Sequence, residues 1–206
     1  VVRVLLPDRP GALGAVASRI AAAQGDIVGV DVLERSGSVA VDEFFVDVAS
    51  ADVIPLLVRE IEAVDGASVE EAREVDAHSE PLLDALASAE SLVSTKTHAE
   101  LFDRLVTLVN AEFAAEWSAL VTESAVLATA GPTPELDMLL ALRAGVAASP
   151  AVASGTVGPS DLLVAPLAGL EASLLVSRSG SPIRQTERGQ CCGLARITDV
   201  LATRSA

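Results

Sequence analysis

Three groups of residues are of types that could do chemistry. Two cysteines adjoin at Cys191 and Cys192, two histidines stand far apart at His78 and His98, and the stretch Asp8-Arg9-Pro10-Gly11-Ala12-Leu13 follows an apolar run at the start of the chain. Adjacent cysteines lack the C-x-x-C spacing used by zinc sites and thiol exchange. On a helix, Cys191 falls on a stripe with Leu194, Ile197 or Thr198, and Leu201, so it reads as a small buried apolar side chain. Neither histidine has a cysteine or a paired carboxylate at ligand spacing. His78 reads as part of a linker and His98 as part of a helix's first turn. Gly155-Thr156-Val157-Gly158 lacks the strand, lysine and helix of a phosphate-binding loop. No nucleophile elbow or H-E-x-x-H signature is present. The motifs point to no catalytic residue, no metal and no cofactor, and the chain reads as a non-enzyme.

The stretch from Asp8 to Leu13 is of another kind. Pro10 fixes φ and suits a turn or the first turn of a helix. Gly11 lacks a Cβ, so another molecule can come close to the backbone. The amides that open the following helix have no internal partners and carry the positive end of its dipole. Amides at Gly11, Ala12 and Leu13 could therefore hold a small carboxylate. The alternative is a plain strand-to-helix connection.

The elements that must position this stretch follow from hydrophobic periodicity. Val2, Val4 and Leu6 alternate with Val1, Arg3 and Leu5, as in a strand with its even positions inward. Leu13, Val16, Ala17, Ile20 and Ala21 form one helical stripe, which Gly25 should terminate. Ile27 to Glu34 reads as a second strand with Val28, Val30 and Val32 on one face. The turn Ser36-Gly37-Ser38 leads to a third strand, Val39 to Val48. There Phe44, Val46 and Val48 share one face, and Glu43, Phe45 and Asp47 the other. Ser50 or Asp52 can cap a second helix, with Ile54, Leu57, Val58 and Ile61 inward, which Asp65-Gly66 stops. Ala67 to Val75 supplies a fourth strand. The order is the split βαβ arrangement, a ferredoxin-like βαββαβ unit.

Residues 1 to 76 resemble an ACT domain, the small βαββαβ module that senses amino acids in metabolic regulators. The strand VVRVLL, the turn DRPGAL, the segment Gly25-Asp26-Ile27-Val28 and the strand from Asp42 to Val48 carry the resemblance. It implies ligand-binding positions at Asp8, Gly11, Ala12 and Leu13 in the turn, and at Asp26 and Ile27 at the start of the second strand. It also implies pairing. One face of the sheet would carry Leu5, Ile27, Leu33, Val41 and Phe45, too apolar to stand bare, and a homodimer is expected. Many amino-acid-binding members have Asn near the second strand's start. Asp26 stands there instead, a carboxylate that could meet an ammonium group but would repel a ligand's carboxylate.

Asp76 to Pro81 is polar and marks a linker at 77–81 before a second domain, 82–206. Leu82, Leu83, Leu86 and Ala89 or Glu90 have helical spacing. Thr97-His98-Ala99-Glu100 has the form of a capping box, ahead of a stripe of Leu101, Leu105, Leu108 and Val109. Strands are expected at Ala115–Thr122, Ala125–Ala130, Asp161–Ala168 and Glu171–Arg178, with Trp117 packing a core. A helix capped by Thr133 should lie between the strand pairs, a mobile loop at Ser149–Ser160, and a last helix capped by Thr186 over 187–203. Residues 82 to 204 resemble a GAF domain, an α/β ligand-sensing module. Leu162 to Leu167, Ala172 to Arg178 and the ending from Ser181 to Ala195 carry that resemblance. The expected fold class is thus α+β: a ferredoxin-like ACT-like unit followed by an α/β GAF-like unit.

Composition narrows the partners. Of 206 residues 50% are apolar, enough for two cores, and the formal net charge is −15. A single lysine, Lys96, and no basic stripe argue against nucleic acid and against anionic membranes. Charges break every apolar segment before the ~20 residues of a spanning helix. With no signal-peptide pattern and no disulfide framework, a cytoplasmic location is expected. The functional expectation is a non-catalytic regulator that binds an amino acid or a related small metabolite through an ACT-mediated dimer. The alternative is a ligand-free assembly protein or regulatory subunit of a partner enzyme of amino-acid metabolism.

Overall fold

The computed structural model describes residues 1–75, 81–148 and 161–204. The chain divides into two compact units, Val1–Ser79 and Glu80–Ala206. Most of the expected linker, His78 within it, and the expected mobile loop at 149–160 lie outside the described residues. Both units are mixtures of helices with one antiparallel four-stranded sheet.

The first unit runs β1 (Val2–Pro7), α1 (Ala12–Ala22), β2 (Asp26–Ser36), β3 (Val39–Asp47), α2 (Ile54–Glu62) and β4 (Ser68–Ala72). Its sheet has the order β2-β3-β1-β4. Alternation puts Val2, Val4 and Leu6 of β1 with Ala40 and Phe44 of β3 on one face. There they pack with Ala12, Val16 and Ile20 of α1 and Leu57 and Ile61 of α2. Phe44, Ile20, Leu57 and Ile61 are among the largest fully buried side chains. Burying each contributes roughly 1.5–3 kcal/mol, and this shared core holds both helices on one face.

Two expectations about β2 need correction. Its ladder to β3 is broken by irregularities between Ile27 and Gly29 and between Val32 and Glu34. Each such slip moves the residues beyond it to the other face. Ile27 therefore pairs with Val46 and packs on the helix-side core instead of the opposite face. Val28, Val30 and Val32, expected to share one face, are all exposed on the edge strand β2, and the irregularity between Ile27 and Gly29 leaves Val28 out of the pairing. The end of α1 also differs. Gln24, at φ 60°, takes the left-handed position assigned to Gly25. Gly25 is needed for packing, since a Cβ there would stand 2.6 Å from Cγ1 of Val46.

The second unit runs α3 (Pro81–Val93), α4 (His98–Glu112), β5 (Trp117–Val121), β6 (Val126–Ala130), α5 (Leu136–Ala147), β7 (Leu162–Leu167), β8 (Ala172–Ser177) and α6 (Gln185–Arg204). Its sheet has the order β6-β5-β8-β7. Strand alternation serves two apolar faces. Leu120, Leu163, Ala165, Leu174 and Val176 meet α4 and α6, while Trp117, Ala119, Val121, Leu162 and Leu175 meet Leu139 and Leu136 of α5. Thr97 caps α4 as expected, its Oγ1 accepting from the Glu100 amide at 3.2 Å, but the Glu100 carboxylate accepts from the Lys96 amide at 2.9 Å, one residue before the one a capping box uses. Of the expected α3 stripe, Leu83 and Leu86 are exposed, and among the described side chains of that helix Ser88 and Leu92 are the buried ones. Thr133 and Thr186 are not caps. Glu135 takes the cap position of α5 without a side-chain bond, and Thr186 lies inside α6. At the start of α6 the carboxylate of Glu187 reaches back to the Arg184 amide at 2.7 Å.

Candidate functional site

The turn between β1 and α1 is built by three backbone bonds. Asp8 donates its amide to Ser38 O at 2.8 Å, Arg9 to Pro7 O at 2.8 Å, and Ala12 to Arg9 O at 3.2 Å. The first bond fixes the turn beside the β2–β3 hairpin. Asp8, Arg9, Pro10 and Gly11 are exposed, Ala12 is buried, and Leu13 is exposed. Gly11 is the N-cap residue at φ 91°, in the left-handed region. A Cβ added there meets nothing within 4 Å. Glycine is thus required by backbone conformation, and the space around it leaves the backbone open to approach.

No side chain caps α1 and no acidic residue stands in its first turn. The Ala12 amide, expected among the ligand's donors, is taken by the Arg9 carbonyl. The donors that remain at the positive end of the dipole are the amides of Leu13 and Gly14. Two amides on a helix terminus suit one carboxylate. The cation nearest in sequence, Arg9, is drawn 3.5 Å from Asp65 in an exposed ion pair.

Asp26 and Ile27, the second pair of expected ligand residues, are elsewhere. Pro7 pairs with Val39 at one end of the sheet, whereas Asp26 pairs with Asp47 at the other. Eight residues of β3 separate those levels, about 27 Å at ~3.4 Å per residue. One chain cannot bring both halves to one small ligand. The strand half adjoins a cavity of about 320 Å³ at the end where β1 begins, lined by Val2, Val46, Asp47, Ile54, Arg73 and others. Asp26 is exposed and Ile27 half-buried.

Asp42 of β3 escaped the sequence reading. It pairs with Val4 on one side and Val32 on the other, and its strand neighbours on that face, Ala40 and Phe44, belong to the helix-side core. It is 4% exposed, and its Oδ1 is buried without a hydrogen-bond partner. Burial raises its carboxyl pKa above the usual range, Arg35 opposes that rise, and Asp8 adds to it. The signal was present in the alternation: extending the Phe44 face by one step puts an acid at a core position.

In the second unit, chemistry-bearing side chains serve the fold. Cys191 is buried in the core with Leu194 and Ala195, as expected, and burial pushes its thiol far up. Trp117 packs under α5. The sheet face below α5 is filled by Leu136, Leu139 and Leu142. His98 stacks on Phe102, ring centroids 5.9 Å apart. Among the described residues no cluster of three or more His, Cys, Asp or Glu could hold a metal ion. None of the described helices is long and apolar enough to cross a membrane.

The first unit is thus a two-layer ferredoxin-like module with an open, uncapped helix terminus. The family model of the ACT domain matches residues 1–66. That match ends just before β4, the strand that completes the sheet. ACT domains are typically ligand-binding regulatory modules. No curated protein matches the chain. Among solved structures, the GAF domain of a phosphoenolpyruvate-protein phosphotransferase from Acinetobacter is similar at a TM-score of 0.45 and 12% identity, over 62% of this chain and 96% of that one. A bacteriophytochrome from the photosynthetic bacterium R. palustris is similar at a TM-score of 0.44 and 15% identity. There 93% of this chain is covered, spanning 51% of the other.

Proposed function

We propose that the chain is a non-catalytic regulator that binds an amino acid, or a closely related small carboxylate, through its first unit, and does so as a homodimer. The ligand's carboxylate meets the Leu13 and Gly14 amides in the turn opened by Asp8 and Gly11. Its far side meets Asp26 and Ile27 of a second copy. The observation that carries this reading is the separation of the two halves by about 27 Å along one sheet, at ~3.4 Å per residue. A two-fold arrangement of two copies turns opposite ends of the sheet toward each other. Ligand binding then favours one dimer geometry over others and shifts the population toward it. In a cell this protein works in the cytoplasm, and its dimer geometry is read by a partner enzyme.

The test has two stages. Thermal unfolding is first measured against each of the twenty amino acids. A ligand that binds only the folded state stabilises it by about 2.7 kcal/mol at a hundred times Kd. No stabilisation by any of them would favour a ligand-free assembly subunit. With a ligand in hand, two variants are combined, Gly11→Val to damage the turn and Asp26→Lys to damage the strand half. Each alone should fail to bind. Refolded together they should regain binding, because every mixed dimer holds one intact site. Failure to complement, or binding by a monomer, would refute a site shared between copies.

A further inference from the structure

The first helix of the second unit turns its large apolar side chains away from the core. Ser88 and Leu92 of α3 face inward, and Leu83, Leu86, Glu90 and Val93 lie on the opposite side at helical spacing. Leu83 and Leu86 are each 57% exposed, and Val93 is 62% exposed. Ala85 and Ala87 are exposed as well. A lone exposed leucine is ordinary on a protein surface, but three large apolar side chains in one row make a patch that is stabilised by being covered.

α6 packs beside α3 and has a free face of its own. Gly189, Gly193, Arg196 and Val200 follow one another along the side opposite the buried Cys191, Thr198 and Ala202. Val200 is 45% exposed. A Cβ added at Gly189 or Gly193 meets nothing within 4 Å. Glycine inside a helix is less favourable than alanine, and no neighbour among the described residues requires it at either place. The pair leaves a shallow notch where another helix can come close to the backbone.

Charge divides the two faces. Asp84 and Glu90 are the charged residues of α3, which has no basic residue. On α6 the acids are engaged within the unit: Glu187 holds Arg178, and Asp199 accepts from the Gly169 and Leu170 amides at 2.9 Å each. Arg196 and Arg204 are left exposed beside the glycine row. Among the described residues, none of the side chains of Asp84, Glu90, Arg196 and Arg204 makes a hydrogen bond or an ion pair. An apolar acidic face and a notched basic face thus stand on one chain, both turned to solvent. At a net charge of −15, two copies repel unless acids meet bases, and α6 supplies the bases.

We infer that the second unit carries a self-association surface in which α3 of one copy lies across α6 of another, and the reverse. A two-fold axis makes this contact twice from one pair of faces. Leu83 and Leu86 seat over Gly189 and Gly193, while Asp84 and Glu90 meet Arg196 and Arg204. This surface is separate from the pairing of first units and does not rest on it.

The experiment uses the full chain and measures mass by sedimentation velocity over a range of concentrations. Three variants are compared with wild type: Asp84→Arg with Glu90→Arg, Arg196→Glu with Arg204→Glu, and Gly189→Leu. Urea unfolding checks that each is folded. Wild type should associate. Each charge-reversed variant faces like charges across both contacts and should associate at least tenfold more weakly. An equal mixture of the two should associate like wild type, since a mixed pair restores acid against base at both contacts. If α3 met α3 instead, the variant reversed on α6 would keep its association and the inference falls. Gly189→Leu adds bulk where the free chain has open space, so its urea midpoint should not fall, yet association should weaken at least fivefold. Unchanged association there removes the partner helix from the glycine row and overturns the inference. So does a wild type that stays monomeric, which would leave the α3 row to a helix of some other protein. Pairing of the first units is told apart by the masses. If it occurs, the charge-reversed variants are dimers and wild type is larger; if it does not, the variants are monomers and wild type is a dimer. Variants with the mass of wild type overturn the inference in either case.

Discussion

Arg178, the residue just after β8, ties together three parts of the second unit. Its Nη1 donates to Phe113 O at 3.0 Å and to Glu187 Oε1 at 2.8 Å, its Nη2 to Glu187 Oε2 at 2.8 Å, and its Nε to Ser181 O at 3.0 Å. Arg178 and Glu187 are only 5% and 8% exposed. Replacing Arg178 by Met fills most of the space but leaves the Glu187 carboxylate and the carbonyls of Phe113, Ser181 and Pro182 without the guanidinium that bonds them. Removing one member of a buried pair costs about 3–5 kcal/mol, because the remaining charge stays out of water. That is a large part of the roughly 5–15 kcal/mol typical of a domain. Arg178→Lys keeps the charge but loses the planar fork, and should recover only part of the loss. Removing both charges, in Arg178→Met with Glu187→Leu, should be clearly less costly than the single change. The assay is urea unfolding followed by the fluorescence of Trp117, the chain's single tryptophan. That residue is buried in the second unit and registered opposite Ser177, so its signal reports the right transition. A single-variant loss under about 1 kcal/mol, the range of surface pairs, would refute the reasoning. So would a double variant no more stable than the single one.

Further outcomes follow from the same geometry. Gly11→Ala should cost about 1–2 kcal/mol, the strain of a side chain in the left-handed region with space around it. Gly131→Ala should cost more: at φ 78° its Cβ would lie 2.2 Å from Glu116 O, so backbone must move. Equal urea midpoints for the two would contradict this. Asp42 makes stability depend on pH. Its folded pKa is raised, so the folded state holds its proton more tightly than the unfolded chain. Its contribution is most favourable below the unfolded value of about 3.9 and is lost as pH rises through the folded value. The stability gap in favour of Asp42→Asn should therefore widen from acid toward neutral pH, and a gap independent of pH in urea titrations would count against a carboxyl strained by burial. Native protein treated with a maleimide at neutral pH should be modified at the half-buried Cys192 before the buried Cys191. Peptide mass spectrometry showing Cys191 modified first would reverse that assignment.

Much of the first unit could be read from residue order. Val2, Val4 and Leu6, the stripe through Val16 and Ile20, and the stop at Asp65-Gly66 each act over a few neighbouring residues, and local periodicity carries them. The turn at Asp8 to Leu13 was legible for the same reason, being one strand end, one proline and one glycine. The failures have longer-range causes. A ladder irregularity is invisible to alternation, so Ile27 was put on the wrong face. The helix of Leu83 and Leu86 has a good stripe, yet the partner surface takes Ser88 and Leu92 instead. Thr133 and Thr186 are good capping types that miss the cap positions, Thr133 standing two residues before the cap of α5 and Thr186 just inside α6.

By itself the sequence determined that there are two cores, that the first has βαββαβ order, and that an open helix terminus follows the first strand. These depend on periods of two and 3.6 residues and on turn chemistry, all local. Only the tertiary structure decided which residues share a site. Register placed Asp26 about 27 Å from the turn, at ~3.4 Å per residue, although both lie within the first 26 residues. Packing likewise buried Asp42 within electrostatic reach of Asp8, although 34 positions separate them in the chain. Neighbourhood across strands depends on pairing between distant segments, and no window along the chain contains it.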